Sequence, residues 1–171
     1  KAKLIRWSQK VFLNRDDASY ELLKSYKPKT GTVFTYGLHN EAHYRFDIAT
    51  KIDKPLAYFN KYNYLAAYAV CTNIGIQDIE IFAAMKTFKL PEGRMEMVYD
   101  QEFKVIVDFA HTPNGLYEAL STIRDTYVKK GRLIHIFGAA AFRYDTKRPL
   151  MGEESARYAD LTIITEEDYR T

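Results

Sequence analysis

A chain of 171 residues with 47% hydrophobic content fits one ordinary domain or two small ones and can build a real core. A net charge of +3 with scattered basic residues, and 14 tyrosines that do not alternate with them, gives no nucleic-acid footprint. Cys71, the single cysteine, excludes an internal disulfide framework. No stretch approaches a membrane-spanning run, and no signal-peptide core follows the opening Lys-Ala-Lys, so the expected setting is cytoplasmic, with no nucleic-acid or membrane partner. A monomer is expected.

The chain divides near residue 92, at Pro91-Glu92-Gly93. Before that break, residues 10–13 read as a short strand ending in Asn14-Arg15-Asp16-Asp17. A helix follows over 18–25, with Asp16 or Asp17 near its start. Residues 28–31 turn, and 32–36 form a β-branched and aromatic strand that stops at Gly37. Residues 43–48 alternate and suggest another strand. An apolar helix over 63–74 is closed by Gly75, and Asp78 can cap a second helix over 79–88. His39 and His43 lie four apart, but Gly37 and Asn40 argue for a turn, and no metal site is expected. Tyr62, Tyr64 and Tyr68 read as packing residues.

Beyond the break, strand and helix repeat. A strand over 103–107 ends at Asp108. The helix after it carries Leu116, Leu120, Ile123 and Tyr127 on one face and ends at Gly131. A strand over 133–137 stops at Gly138. Residues 149–158 read as a helix with Pro149 in its first turn, and 161–164 as a third strand ending in Thr165. Three strands with helical crossovers predict a Rossmann-like, mostly parallel sheet whose strand ends meet on one edge. Such sheets have five or six strands, so the sheet is expected to be incomplete.

Chemistry concentrates at Asp108-Phe109-Ala110-His111-Thr112-Pro113. The carboxyl end of a strand beside a helix N-terminus is where ligands, and anions above all, bind. The plainer reading is a strand cap and turn, with Asp108 or Asn114 capping the helix. Similar alternatives stand elsewhere: Asn60 as a helix N-cap, Arg94 and Glu96 as a surface pair, and Lys147-Arg148 as a solvated loop. No Gly-x-x-x-x-Gly-Lys-Ser/Thr loop occurs, so ATP chemistry would lack its usual triphosphate cradle in this chain.

Four segments, read in order, resemble the Mur ligases of peptidoglycan synthesis, in particular the UDP-N-acetylmuramoyl-tripeptide synthetase branch. They are Phe59-Asn60-Lys61-Tyr62-Asn63, Gly93-Arg94-Met95-Glu96, Asp108-Phe109-Ala110-His111-Thr112-Pro113, and Lys147-Arg148-Pro149-Leu150-Met151-Gly152. Thr35-Tyr36-Gly37 and the Asn14-x-Asp16-Asp17 strand end also fit that family. The resemblance implies the end of a central ATPase domain over 1–92 and the first half of a Rossmann-like C-terminal ligase domain over 93–171.

It also implies roles. Asn60 and Asn63 would meet the adenine of ATP. Arg94 and Asp108 would meet its ribose and phosphates, with His111 in the same pocket. Lys147 would contact the reacting carboxyl group, so His111 and Lys147 are the catalytic candidates. Arg143, Asp168 and Arg170 would meet the incoming amino acid. The implied activity is ATP-dependent addition of an amino acid to UDP-N-acetylmuramoyl-L-Ala-D-Glu through an acyl phosphate. The implied cofactors are ATP and Mg²⁺, the Mg²⁺ ligands lying mostly outside this chain. Departures from the family pattern fall at Ala140-Ala141, Phe142, Asp168 and Tyr169, and at a short stretch between Tyr44 and Leu56. They leave the amino acid open: diaminopimelate, lysine or another. A non-catalytic fragment or nucleotide-binding module derived from the same family is the alternative.

Overall fold

A computed structural model describes residues 2–54, 56–140 and 145–166. The chain forms two compact units, Lys1–Phe88 and Lys89–Thr171, each with its own core.

In the first unit the elements run α1 (Ala2–Trp7), β1 (Lys10–Asn14), α2 (Tyr20–Ser25), β2 (Thr32–Tyr36), α3 (Ile48–Ile52), α4 (Tyr58–Asn73) and α5 (Asp78–Thr87). Strands β1 and β2 pair in parallel, from Lys10 opposite Thr32 to Asn14 opposite Tyr36. Alternation buries Val11 and Leu13 against Ile5 and Tyr20. Gly31 permits the pairing: a Cβ there would lie 2.6 Å from the Gln9 carbonyl oxygen and would also strike that of Ser8. A second core gathers Ile48 and Ile52 of α3, Tyr64, Leu65 and Tyr68 of α4, and Ile81 and Met85 of α5.

Three readings of this unit need correction. Residues 43–48 form no strand: they make one isolated bridge, Tyr36 to Tyr44, and then Asp47 caps α3 by accepting from the Ala49 N–H at 3.0 Å. A capping carboxylate there outweighs the apolar alternation. Helix α4 starts earlier than expected, so Asn60 lies buried in its first turn and Ala57 is the N-cap. Helix α5 is capped by Gln77 in a capping box with Glu80. Asp78 instead accepts the Tyr68 hydroxyl at 3.0 Å.

The second unit runs β3 (Glu96–Asp100), β4 (Lys104–Val107), α6 (Pro113–Tyr127), β5 (Ile134–Phe137), α7 (Lys147–Tyr158) and β6 (Leu161–Ile164). Strands β5 and β6 are parallel, Ile134 opposite Leu161, as the helical crossover requires. Strand β4 is not the third member of that sheet. It pairs antiparallel with β3, and among the described residues it forms no ladder with β5. The expected single parallel sheet ending at Asp108, Gly138 and Thr165 is therefore replaced by two separate two-stranded sheets.

Helix α6 is capped by Thr112, whose Oγ1 accepts from the Gly115 N–H at 3.1 Å, rather than by Asp108 or Asn114. Its buried Leu116 and Leu120 pack on Met151 of α7, with Phe137 and Tyr158 at the margin. Asp160 ties the start of β6 to the start of β5: it accepts from the Leu133 N–H at 2.8 Å and from Arg124 at 2.9 Å. No helix among the described residues is long and apolar enough to cross a membrane.

Candidate functional site

The second unit builds its polar site around Asp108, just past the end of β4. One carboxylate oxygen accepts from the Met95 N–H at 2.9 Å, the other from the Ala110 N–H at 2.8 Å. Asp108 thus joins the loop before β3 to the loop after β4. The first of these is itself closed: the Gly93 N–H donates to Glu96 at 2.7 Å, and Gly93 and Met95 both have left-handed backbone, φ 67° and 50°. Glu96 is consequently a loop clamp, and the surface pair with Arg94 is not formed. The Arg94 guanidinium instead lies 4.6 Å from the centroid of the Phe109 ring.

His111 sits edge-on to the same ring, centroids 5.0 Å apart. Its Nδ1 is 3.0 Å from the Phe109 carbonyl oxygen. A carbonyl only accepts, so Nδ1 carries the proton, and a neutral ring leaves the Nε2 lone pair open. Lys147, at the start of α7, donates to the His111 carbonyl at 2.8 Å. Arg94, Asp108, His111 and Lys147 are therefore brought together within one unit. Arg143, Asp168 and Arg170 lie outside the described residues.

Beside this cluster is a cavity of about 220 Å³, bordered by Asp108, Phe109, His111, His135, Phe137 and Gly138 among others. The strand ends at Asp108 and Gly138 thus share one recess although their strands do not pair. His135 is a residue the sequence reading missed. It stacks on Phe137 at 4.7 Å, and its Nδ1 meets the fully buried Ser155 Oγ at 2.8 Å, which in turn meets Thr162 Oγ1 at 2.7 Å. Burial pushes the His135 imidazole below its usual range, so the ring is held neutral. The available signal was its place on β5, two residues before the strand end.

In the first unit, the exposed Asn63 donates from Nδ2 to the buried Asn60 Oδ1 at 3.2 Å. Outside that bond, Asn60 keeps its amide donors and Asn63 its amide acceptor. Asp16 has a role the sequence did not show. It accepts the backbone N–H groups of Leu38 (2.6 Å), His39 (3.0 Å) and Asn40 (2.8 Å), together with the Asn40 side chain and the Tyr62 hydroxyl. Burial works against its charge, but these donors win and hold the carboxyl well below the usual carboxylate range. Burial comes first, and the bonds from Tyr58 and to Asp16 follow, in raising the Tyr62 hydroxyl. Tyr62 is thus a hydrogen-bonding residue as well as a packing one. His39 meets Tyr58, whereas His43 meets Thr35, so the two histidines serve different partners.

Residues 93–171 match the family described as Mur ligase, glutamate ligase domain. All of this chain aligns at 33% identity with 39% of the UDP-N-acetylmuramoyl-L-alanyl-D-glutamate–2,6-diaminopimelate ligase 1 of Clostridium acetobutylicum. The corresponding ligase of Aquifex aeolicus is 42% identical over 66% of this chain and 23% of its own length. A solved structure of a UDP-N-acetylmuramoyl-L-alanyl-D-glutamate–2,6-diaminopimelate ligase superposes with a TM-score of 0.55 at 26% identity, over 99% of this chain and 39% of that one. The chain spans about two fifths of the length of the curated relative it matches throughout. With the clustered motifs of the second unit and the α/β fold in agreement, the chain belongs to the Mur ligase family.

Proposed function

We propose that this chain carries nucleotide- and acceptor-positioning residues of an ATP-dependent amide ligase. The ligase adds diaminopimelate or lysine to UDP-N-acetylmuramoyl-L-alanyl-D-glutamate in the cytoplasm. The observation that carries the reading is the convergence of Arg94, Asp108, His111 and Lys147 at the end of β4 and the N-terminal ends of α6 and α7. ATP supplies the phosphoryl group that activates the substrate carboxylate as an acyl phosphate.

This chain's own side chains supply part of the remaining machinery. Arg94 and Lys147 place fixed positive charge where phosphate and carboxylate oxygens gather negative charge. The Thr112-capped N-terminus of α6 adds the favourable end of a helix dipole. His111, with Nδ1 committed to the Phe109 carbonyl, offers its Nε2 lone pair to a proton, and only the protonated Nε2–H can then donate to a phosphate oxygen. Asn60 and Asn63 supply the base contacts. Arg143, Asp168 and Arg170 are the proposed amino-acid contacts. Among the described residues no group of three or more His, Cys, Asp or Glu could hold a metal.

A chimera in which this chain replaces the matching segment of the Clostridium acetobutylicum ligase tests the reading. Supplied with ATP, the UDP-muramoyl dipeptide and either diamino acid, it should form the tripeptide, and Lys147→Ala should lower kcat. A folded chimera that binds ADP yet forms no tripeptide with either amino acid rejects it.

A further inference from the structure

We infer that Phe109 is a positioning residue for Arg94: its exposed ring face sets the direction of the guanidinium in the nucleotide site. The inference rests on the proposed ligase reading for the identity of the ligand, but the contact itself does not.

Phe109 is 58% exposed although it follows an apolar strand directly, so burial does not explain it. Three features fix it against Arg94. The Arg94 guanidinium carbon lies 4.6 Å from the ring centroid, within cation–π range. Asp108 bonds the backbone immediately after each partner, Met95 after Arg94 and Ala110 after Phe109, so one carboxylate sets the spacing of both. The loop that carries Arg94 is held in an unusual shape by left-handed Gly93 and Met95. A left-handed backbone costs a non-glycine residue energy, and at Met95 it is accompanied by bonds to Asp108 and Glu96 on the two sides of the turn.

The arrangement has a chemical consequence. Among the described residues Arg94 has no carboxylate partner, so none of them neutralises its charge. An aromatic face restrains a guanidinium without neutralising it and leaves the N–H fork free for an anion. A carboxylate in the place of Phe109 would hold Arg94 as firmly but would compete with phosphate. His111, edge-on to the same ring, is oriented by the same platform. Phe109 thus places a cation and an imidazole around one ring, at the edge of the recess beside Asp108.

The test uses the 171-residue chain and MgADP. In the free protein, NMR should show the Arg94 Hδ and Hε resonances shifted upfield by the ring, with the shift lost in Phe109→Leu and kept in Phe109→Tyr. By equilibrium titration, Phe109→Leu should weaken MgADP about three- to five-fold, the worth of one exposed cation–π contact. Phe109→Tyr should restore affinity, and Phe109→Leu should have little further effect in an Arg94→Ala background. An unshifted Arg94 in the wild type, or equal losses with and without Arg94, overturns the positioning role. A shifted Arg94 whose removal leaves MgADP affinity unchanged upholds the contact and instead rejects the nucleotide reading of the site.

Discussion

Two carboxylates, Asp108 and Asp16, each organise a turn by accepting backbone N–H groups. For Asp108 the partners are Met95 and Ala110. Asp108→Ala leaves both without an acceptor and should destabilise the second unit by about 1–3 kcal/mol, measured by urea melting. Asp108→Asn keeps an acceptor and should cost less; equal losses would show that the two bonds do not hold the loops. Asp16 allows a pH test. Its folded value is depressed, so its stabilisation is complete above the unfolded-state value, about 4, and is lost as pH falls toward the lowered one. Thermal melts at pH 5, 4 and 3 should therefore fall more steeply for the wild type than for Asp16→Asn; parallel lines would sink the assignment. The sequence made Asp108 conspicuous because it ends an apolar strand just before a helix. The sequence offers Asp16 or Asp17 near a helix start and no more, because the partners of Asp16 lie more than 20 positions ahead, beyond any local pattern.

At the scale of elements, local chemistry was legible wherever one signal acted alone. β1, β2, β5 and β6 follow from β-branched and aromatic runs, and α6 from its apolar stripe. The β3–β4 hairpin was not legible. Its connection, residues 101–103, is Gln-Glu-Phe, with none of the Gly, Asn or Pro that mark a tight turn. It is held instead by the Gln101 N–H on the Phe103 carbonyl at 3.1 Å and by Tyr99 against Phe103 at 4.6 Å. Two substitutions test the element-level account. Thr112→Ala removes the α6 cap and should cost about 1 kcal/mol in denaturant melts. Thr112→Ser should recover most of that loss. Gly31→Ala must push β2 away from the Gln9 carbonyl, breaking the Thr32 N–H bond of 2.8 Å to it. Amide exchange at Thr32 and Phe34 should rise sharply, and unchanged protection at both would contradict the close approach.

At the scale of the whole molecule, the proposed contacts divide between two units with separate cores. Asn60 and Asn63 belong to the first, and Arg94, Asp108, His111 and Lys147 to the second. Neither unit's sequence carries a lysine-bearing phosphate loop. Phosphoryl transfer needs the attacking oxygen, the γ-phosphorus and the leaving oxygen held in line, and it gains little rate from base and ribose contacts alone. The 171-residue chain by itself should therefore bind MgADP but release no phosphate from ATP above the uncatalysed background, with or without the UDP-muramoyl dipeptide and a diamino acid. Phosphate release by purified chain is the measurement, with Asp108→Ala as the control. Turnover that survives the substitution would come from a contaminant. Turnover abolished by it, with the variant still folded, would show that Arg94, Lys147 and the α6 N-terminus position the triphosphate without a dedicated loop.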